Sequence, residues 1–491
     1  MNKPLRRIAL FAGVLIFALL ARANWLQFVQ ADELQSDQHN RRGLIERYSK
    51  PRGNIYAAHD TKLTGSTKTD SSDFTYKRTY KNGELWAPVT GFSAQIYGET
   101  LLEGVYDSFL TGTDDRLFFD RTVSMLTGEE EGGGNVHTTL LPSAQQAAFD
   151  GLQGKEGAAV AIDPETGKIL ALASTPSYDP SSIAGMSQAD QESWSAMQKK
   201  NDPSQPMLNR ALRQVYPPGS TFKIITAAAA LESGKYTLEG KTDSPSPYNL
   251  PTSGNPLPNW SENIPCKNAS IRDALKYSCN NVFAKISDEL GNEKMKETAE
   301  KFGFNEEQFV PVRSVASSFP QIDPDQNAMG GIGQGSVTAS PLQMAMATAA
   351  IANDGTLMKP YMVDTLRAPN LDIIEHTEPE VLNEALPADV AQQVQGGMEA
   401  VVNDPDGTGA PAKLPNVTVG GKTGTAQHGV GNSQKPYAWF VSYAKQQDGS
   451  SPVAVAVVIE SSDTVREEIG GSTLAAPVAK AVMQAVLEEK P

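Results

Sequence analysis

Residues 217–231 read Pro-Pro-Gly-Ser-Thr-Phe-Lys-Ile-Ile-Thr-Ala-Ala-Ala-Ala-Leu, an apolar helix-forming run that opens with Ser220 and Lys223. The Pro-Pro-Gly segment disfavours an earlier helix start, so the pattern predicts Ser220 at a helix N-terminus. A lysine three residues on lies on the same helix face as the serine. A serine nucleophile needs a neighbouring base, and helix N-terminal N–H groups favour developing negative charge. The stretch therefore predicts an activated serine with Lys223 as its base.

The same Ser-x-x-Lys spacing recurs once, at Ser442 and Lys445 within PYAWFVSYAK. That segment has the composition of a strand, and residues i and i+3 of a strand point to opposite faces. The two side chains of this second copy therefore cannot act together.

Two more motifs follow the first along the chain. Ser278-Cys279-Asn280 lies between the helical segments IRDALKYS and NNVFAKISDELG. Lys422-Thr423-Gly424, followed by Thr425, occurs in the strand-like segment NVTVGGKTGTA. Ser-x-Asn also occurs at Ser253 and Ser261, but both copies fall in an irregular loop rich in Pro, Gly and Asn.

Apolar strands begin and end the region that holds these motifs. GAAVAI and ILALAS are joined by a turn and predict an antiparallel hairpin, and NVTVGGKTGTA, PYAWFVSYA and SPVAVAVVIE predict three late strands. Helical segments lie between the two sets. We therefore predict an α+β domain over residues 153–491, whose antiparallel sheet joins the first hairpin to the last three strands.

A nucleophilic serine followed by Ser-x-Asn and Lys-Thr-Gly resembles the signature of penicillin-binding proteins and serine β-lactamases, over residues 155–491. Arg52-Gly53-Asn54-Ile55 resembles the Arg-Gly-x-Ile element of the class B penicillin-binding proteins, although Ala57-Ala58-His59-Asp60 departs from the Asp-Arg-Asn-Gly that usually follows it. GAAVAIDPETGKILALASTPSYDP and GIGQGSVTASPLQMA are also similar to class B stretches. The likeness is greatest to the division-associated D,D-transpeptidases of actinobacteria.

This resemblance implies a serine β-lactamase/transpeptidase-like fold and a serine-type enzyme that cross-links peptidoglycan stem peptides. It implies covalent inhibition by β-lactams, partners among division and cell-wall synthesis proteins, and no cofactor. Ser220 would be the nucleophile, Lys223 the base, and Ser278 the proton relay to the leaving amine.

The resemblance also implies a set of binding residues. Asn280 would bond the substrate amide, and the backbone N–H groups of Ser220 and Thr425 would form the oxyanion hole. Gln334, between Gly333 and Gly335, is interpreted as a loop residue outside the site. The substrate's terminal carboxylate would be bound along one strand by Lys422, Thr423, Gly424 and Thr425.

Composition restricts the partners. The net charge of −15 argues against nucleic-acid binding. The five histidines are scattered without ligand spacing, so we expect no metal site.

The N-terminus predicts a membrane anchor over residues 1–29. Lys3, Arg6 and Arg7 precede the uncharged run 8–21, which favours a cytoplasmic N-terminus and an extracytoplasmic catalytic domain. A cleaved signal peptide is the alternative, because Ala21-Arg22-Ala23 fits a small-x-small cleavage site.

Residues 30–152 then form a smaller, non-catalytic pedestal-type domain, in which ELWAPVTGF is among the segments predicted as strands. In an exported domain Cys266 and Cys279 can form a disulfide, with two buried free thiols as the alternative.

Four other functions remain as alternatives. A class A β-lactamase needs a Glu-x-x-Leu-Asn element, but the glutamate position ahead of Leu382-Asn383 is Pro379. A bifunctional synthase needs a glycosyltransferase domain, for which residues 30–152 are too few. A D,D-carboxypeptidase differs only in using water as acceptor. A non-catalytic division scaffold would not need the reactive residues, all of which are present.

Overall fold

A computed structural model describes residues 3–30, 34, 42–71, 73–127, 132–199, 202 and 204–489. Five long strands form the central sheet, which is antiparallel throughout. It joins the first hairpin to the last three long strands, which confirms the predicted topology. Across the sheet the strands run in the order Thr418–Ala426, Tyr437–Lys445, Val453–Ser462, Lys155–Ile162 and Ile169–Thr175.

Helices cover both faces of the central sheet. Pro142–Gly151 and Ala476–Glu489 pack together against one face, whereas Pro341–Ala352 and Ala388–Asn403 contact the sheet from the other. Every residue of Pro341–Ala352 is buried, so this helix lies inside the core. The result is a layered α+β domain, as predicted.

The second Ser-x-x-Lys copy lies in the strand Tyr437–Lys445. The Ser442 hydroxyl is 3.4 Å from Met483 Sδ on one face of the sheet. Lys445 Nζ donates to Gln395 Oε1 on the opposite side, at 3.0 Å. The two side chains point away from each other, as the strand geometry predicts.

The remaining helices and strands surround this sheet or lie in the N-terminal region. The other helices are Lys3–Phe28, Arg42–Arg47, Gly83–Thr90, Leu101–Val105, Asp107–Thr111, Phe118–Thr127, Gln188–Met197, Arg210–Arg213, Lys223–Glu232, Ile271–Lys276, Asn280–Lys301 and Pro324–Gly330. Two-stranded antiparallel sheets pair Thr64–Lys68 with Tyr76–Tyr80, Ser93–Ala94 with Gly98–Glu99, Tyr248–Asn249 with Pro256–Leu257, Gln308–Phe309 with Arg313–Ser314, and Thr356–Met358 with Val381–Glu384.

A second five-stranded sheet joins chain segments from both sides of residue 152. Its strands run in the order Ile373–His376, Val363–Arg367, Asn135–Thr138, Ile55–Ala57 and Thr61–Lys62. The region after residue 152 thus contributes two of the five strands, Val363–Arg367 and Ile373–His376. The boundaries at 29/30 and 152/153 stay predictions.

One strand prediction in the N-terminal region is wrong. The segment ELWAPVTGF contains most of the helix Gly83–Thr90. Seven of the eight helix residues are buried, so the sequence shows no polar face and no helical period that could distinguish it from a buried strand.

The N-terminal helix Lys3–Phe28 has 26 residues, a mean hydropathy of 1.9 over its most apolar window, and no buried residue. Its length and composition suit a membrane anchor. Residues 31–33 and 35–41, which follow it, lie outside the described part of the chain.

Arg52 of the Arg-Gly-x-Ile element belongs to a buried ionic cluster. Its Nε donates to Glu103 Oε2 at 2.7 Å, and Arg78 Nε donates to the other Glu103 oxygen at 2.5 Å. Burial alone would raise the pKa of the Glu103 carboxyl, but the attraction of Arg78 and Arg52 outweighs it and lowers the pKa. One carboxylate therefore holds together the hairpin 64–80, the helix 101–105 and the chain at Gly53, whose carbonyl accepts from Arg78.

Replacing Glu103 by Gln should destabilise the protein by about 3–5 kcal/mol, because it leaves the buried Arg78 guanidinium without a counterion and Arg52 with Asp107 alone. Urea unfolding of the full-length protein in detergent measures this. Glu307→Gln breaks the exposed Glu307–Arg313 pair and serves as the matched control, which we expect to unfold like the wild type. Equal midpoints for Glu103→Gln and the control would contradict the role of the cluster.

Candidate active site

Ser220 lies in a 3₁₀ turn, Gly219–Phe222, and the α-helix starts only at Lys223. The helix start is thus three residues later than predicted, yet the i, i+3 pair still shares one face because side chains three apart eclipse in a 3₁₀ turn. Gly219 has a φ of +54°, and its N–H donates to Gly333 O at 2.8 Å. A Cβ on Gly219 would lie 3.0 Å from the Ala426 side chain, so glycine lets the turn sit against the strand end.

Lys223 is completely buried at the helix start. Its Nζ donates to Ser278 O at 2.8 Å and to Asn280 Oδ1 at 2.7 Å, and it lies 3.4 Å from Ser278 Oγ. The first motif is therefore bonded directly to the second.

Ser278 ends the helix Ile271–Lys276 in a Schellman arrangement. Its N–H bonds to Leu275 O at 3.2 Å, and the next N–H, of Cys279, reaches back to Ala274 O at 2.9 Å. Ser278 takes the left-handed position, with a φ of +59°, that glycine usually occupies. This turn places the Ser278 hydroxyl between the two lysines.

Asn280 begins the next helix, and a neighbouring loop caps it. Asn259 Oδ1 accepts from the N–H groups of Asn280 and Asn281 at 2.6 and 3.3 Å. Between Ser278 and Asn280, Cys279 forms a disulfide with Cys266, with the Cα atoms 5.5 Å apart. The loop that carries Asn259 and Cys266 is thus fastened to the second motif at two points.

Lys422, Thr423, Gly424 and Thr425 lie on the strand Thr418–Ala426, which is the edge strand of the central sheet beside the cleft. Lys422 Nζ donates to Ser278 Oγ and to Thr423 O, both at 2.9 Å. An edge strand leaves alternate backbone N–H and C=O groups free for a ligand.

The electrostatics of the site follow from two buried cations. Burial, and secondarily the charge of Lys422, lowers the pKa of the Lys223 amine well below its usual range. Burial also lowers the pKa of Lys422 to about 7. Neither lysine has a salt-bridge partner among the residues that the structure describes. A neutral amine is therefore accessible near pH 7.

The three motifs open onto one cleft of about 700 Å³, lined by Ser220, Ser278, Asn280 and the strand residues 423–425. The structure thus brings the residues of the sequence-based hypothesis to one place, with Lys223 and Lys422 beneath the surface. None of the described lining residues is a carboxylate. Within the described ranges, no three His, Cys, Asp or Glu side chains are grouped to hold a metal ion.

The cleft also contains residues that the motif analysis missed. Asn259 and Trp260 come from the irregular loop, and Gln334, interpreted as a loop residue, lines the cleft as well. Thr408 Oγ1 accepts from Thr423 at 3.1 Å. The positions of these residues depend on tertiary contacts; only Gln334 lies in a stretch, GIGQGSVTASPLQMA, that the resemblance had marked.

Gln427 and Asn432, which line the cleft, belong to a loop over residues 427–436. Hydrogen bonds of Arg466 and Lys435 join this loop to the rest of the domain. Arg466 donates to Gln434 O at 2.5 Å, and to Asn432 O and Gln427 Oε1 at 2.8 Å. Lys435 Nζ returns two bonds, to Ser462 O and Thr464 O, at 3.0 and 2.9 Å. These contacts keep the side chains of Gln427 and Asn432 in the cleft wall.

The chain is similar along its whole length to known proteins. The peptidoglycan D,D-transpeptidase PbpA of Mycolicibacterium smegmatis is 40% identical over 501 residues, covering 100% of both chains. The PbpA of Mycobacterium tuberculosis H37Rv is 38% identical over 503 residues, again with full coverage. A ceftriaxone acyl-enzyme complex of penicillin-binding protein A from M. tuberculosis superposes with a TM-score of 0.84 at 37% identity, covering 90% of this chain and 100% of that one.

Two family models match. The model described as penicillin binding protein A dimerisation domain matches residues 52–136, which include the buried ionic cluster. The model described as penicillin binding protein transpeptidase domain matches residues 157–484, which include all three motifs and both walls of the cleft. The chain therefore belongs to the transpeptidase family of penicillin-binding proteins.

Proposed function

We propose that this enzyme is a peptidoglycan D,D-transpeptidase that cross-links stem peptides through an acyl intermediate on Ser220. The observation that carries the proposal is the convergence of buried Lys223 and Lys422 on the hydroxyl of Ser278, which lines the same cleft as Ser220. The relatives named PbpA carry the same activity in their names.

Acylation follows from this arrangement. Neutral Lys223 takes the Ser220 proton as the serine oxygen bonds to the carbonyl carbon of the terminal D-Ala–D-Ala peptide. The C–N bond then breaks, and the leaving D-alanine amine takes a proton from Ser278 Oγ, which Lys223 resupplies. In the second half an acceptor amine attacks the acyl carbon, the ester C–O bond to Ser220 breaks, and the proton lost by the amine passes through Lys223 to the Ser220 oxygen.

The strand Thr418–Ala426 supplies the groups that bind the substrate. The carboxylate of the substrate restores the charged form of Lys422, because an opposite charge raises the pKa of a lysine, and the hydroxyls of Thr423 and Thr425 add hydrogen bonds. The backbone N–H groups of Ser220 and Thr425 form the oxyanion hole, in which one donor contributes about 3 kcal/mol. Gly424 lets the strand approach the nucleophile turn, since a Cβ there would lie 3.0 Å from Thr221 Cγ2.

The acyl-enzyme formed with a β-lactam should be long-lived. Asn383, of the Leu-Asn pair, lies on the exposed strand Val381–Glu384, which does not line the cleft, and its side chain donates to Lys301 O. The described lining residues supply no carboxylate to activate a water. This supports a penicillin-trapping transpeptidase over a β-lactamase.

Ser220→Ala should abolish the covalent penicillin adduct, because it removes the hydroxyl that forms the acyl bond. Intact mass and peptide mapping of the full-length protein measure this. Ser442→Ala removes the serine of the second Ser-x-x-Lys copy and should retain a stoichiometric adduct. An adduct on Ser220→Ala, or rapid turnover of nitrocefin by the wild type, would contradict the proposal.

Lys422→Gln should move the acid limb of the acylation rate towards higher pH. The rate falls as pH falls, because protonated Lys223 cannot accept the Ser220 proton. Removing the Lys422 cation favours protonated Lys223 and raises its pKa, so the fall begins at a higher pH. Rates of penicillin acylation between pH 5 and 9 measure the shift.

Lys422→Arg is the matched variant, because its permanent charge should leave the acid limb near that of the wild type. Both variants lose some overall rate, since both alter carboxylate binding. An acid limb that is the same in Lys422→Gln and the wild type would show that the two lysines are not coupled.

We further infer a cytoplasmic N-terminus, an exported catalytic domain and a role in septal wall synthesis with division partners. The apolar helix Lys3–Phe28, its preceding cations and the likeness to division-associated transpeptidases support this. A fluorescent protein that matures only in the cytoplasm, fused to the N-terminus, should give fluorescence at the division septum. A dark fusion would contradict the topology, and uniform fluorescence around the cell would contradict the septal role.

A further inference from the structure

Gln334 is the cleft residue that the proposed mechanism leaves without a task. It lines the cleft together with Ser220 and Asn280, and it is half-buried. Its Nε2 atom is shielded from solvent and has no hydrogen-bond partner among the described residues. A buried amide donor without a partner is destabilising, so such a group in a cleft points to a ligand that completes it.

Of the other four amide side chains of the cleft, three are already engaged, and that of Asn432 is exposed to solvent. Asn280 accepts from Lys223 and donates to Pro258 O at 3.0 Å. Asn259 caps the helix that follows, and Gln427 accepts from Arg466. Among these five amides, Gln334 alone has a buried side-chain donor without a hydrogen-bond partner in the described part of the chain.

The backbone holds Gln334 in register with the nucleophile. Gly333 and Gly335 flank it with φ angles of +70° and +69°. Gly333 O accepts from the N–H of Gly219, and a Cβ on Gly333 would lie 2.1 Å from Gly219 O. The loop and the nucleophile turn therefore touch backbone to backbone, one residue before Gln334 and one residue before Ser220.

We propose that Gln334 is a substrate-binding residue whose side-chain amide donates to a carbonyl oxygen of the acyl-donor peptide, N-terminal to the scissile bond. A peptide carbonyl supplies the acceptor that the buried Nε2 atom lacks. Met329 and Ile332 line the cleft beside it and offer apolar contact to the same segment of the donor. This assignment rests on the proposed transpeptidase function and adds a determinant of donor recognition to it.

Two β-lactams separate this role from a structural one. Penicillin G carries a side-chain carbonyl in the place of the upstream peptide carbonyl, whereas 6-aminopenicillanic acid has the same reactive ring without that carbonyl. Gln334→Met should lower the second-order acylation rate of penicillin G about three- to tenfold, the loss of one neutral hydrogen bond, and leave that of 6-aminopenicillanic acid unchanged. Gln334→Glu, which keeps the shape but replaces the donor by an acceptor, should show at least the same selective loss.

The measurements use full-length protein in detergent, with thermal midpoints for every variant. Gln484→Met, an exposed amide on the C-terminal helix, is the control and should match the wild type with both compounds. Equal loss with both compounds, or no loss with penicillin G, would overturn the assignment. A wild type that forms no Ser220 adduct with either compound would instead overturn the proposed function itself.

Discussion

The active site depends on the burial of two lysine amines around one serine hydroxyl. Lys223 and Lys422 both reach Ser278 Oγ, at 3.4 and 2.9 Å, and the structure provides no salt-bridge partner for either within its described part. Burial disfavours the charged form of each amine and lowers both pKa values, and the charge of Lys422 lowers the pKa of Lys223 further. A neutral amine is thereby accessible near pH 7, and in the proposed mechanism the carboxylate of the substrate restores the charge of Lys422.

The backbone around Lys223 and Lys422 holds the residues of the second and third motifs in place. A Schellman turn places Ser278 in a left-handed conformation, and a disulfide and the Asn259 cap hold the residues on either side of it. The edge position of the strand Thr418–Ala426 exposes backbone groups along the cleft. Chemical groups thus come from helix ends and a sheet edge, where backbone hydrogen-bonding capacity is left over.

Arg52, unlike the residues of the three motifs, lies away from the cleft. It lies in the N-terminal region, in a cluster where Glu103 receives both Arg52 and Arg78. Its ion pairs with Glu103 and Asp107 stabilise the N-terminal region. The strands that the catalytic region contributes to the N-terminal sheet join the two regions more closely than a linear division at residue 152 implies.

The sequence alone predicted the fold class, the five strands of the central sheet and the three motifs, because alternation, turn residues and motif spacing are local properties of the chain. It also excluded the second Ser-x-x-Lys copy, since strand geometry is local too. It failed for the helix Gly83–Thr90, where uniform burial erases the period. Only the tertiary structure decided that Lys223 and Lys422 share Ser278, that Asn259 caps the second motif, and that Gln334 faces the cleft. Those contacts join residues from about 20 to more than 100 positions apart, and their pKa shifts and unpaired donors arise from burial, which depends on the packing of distant segments.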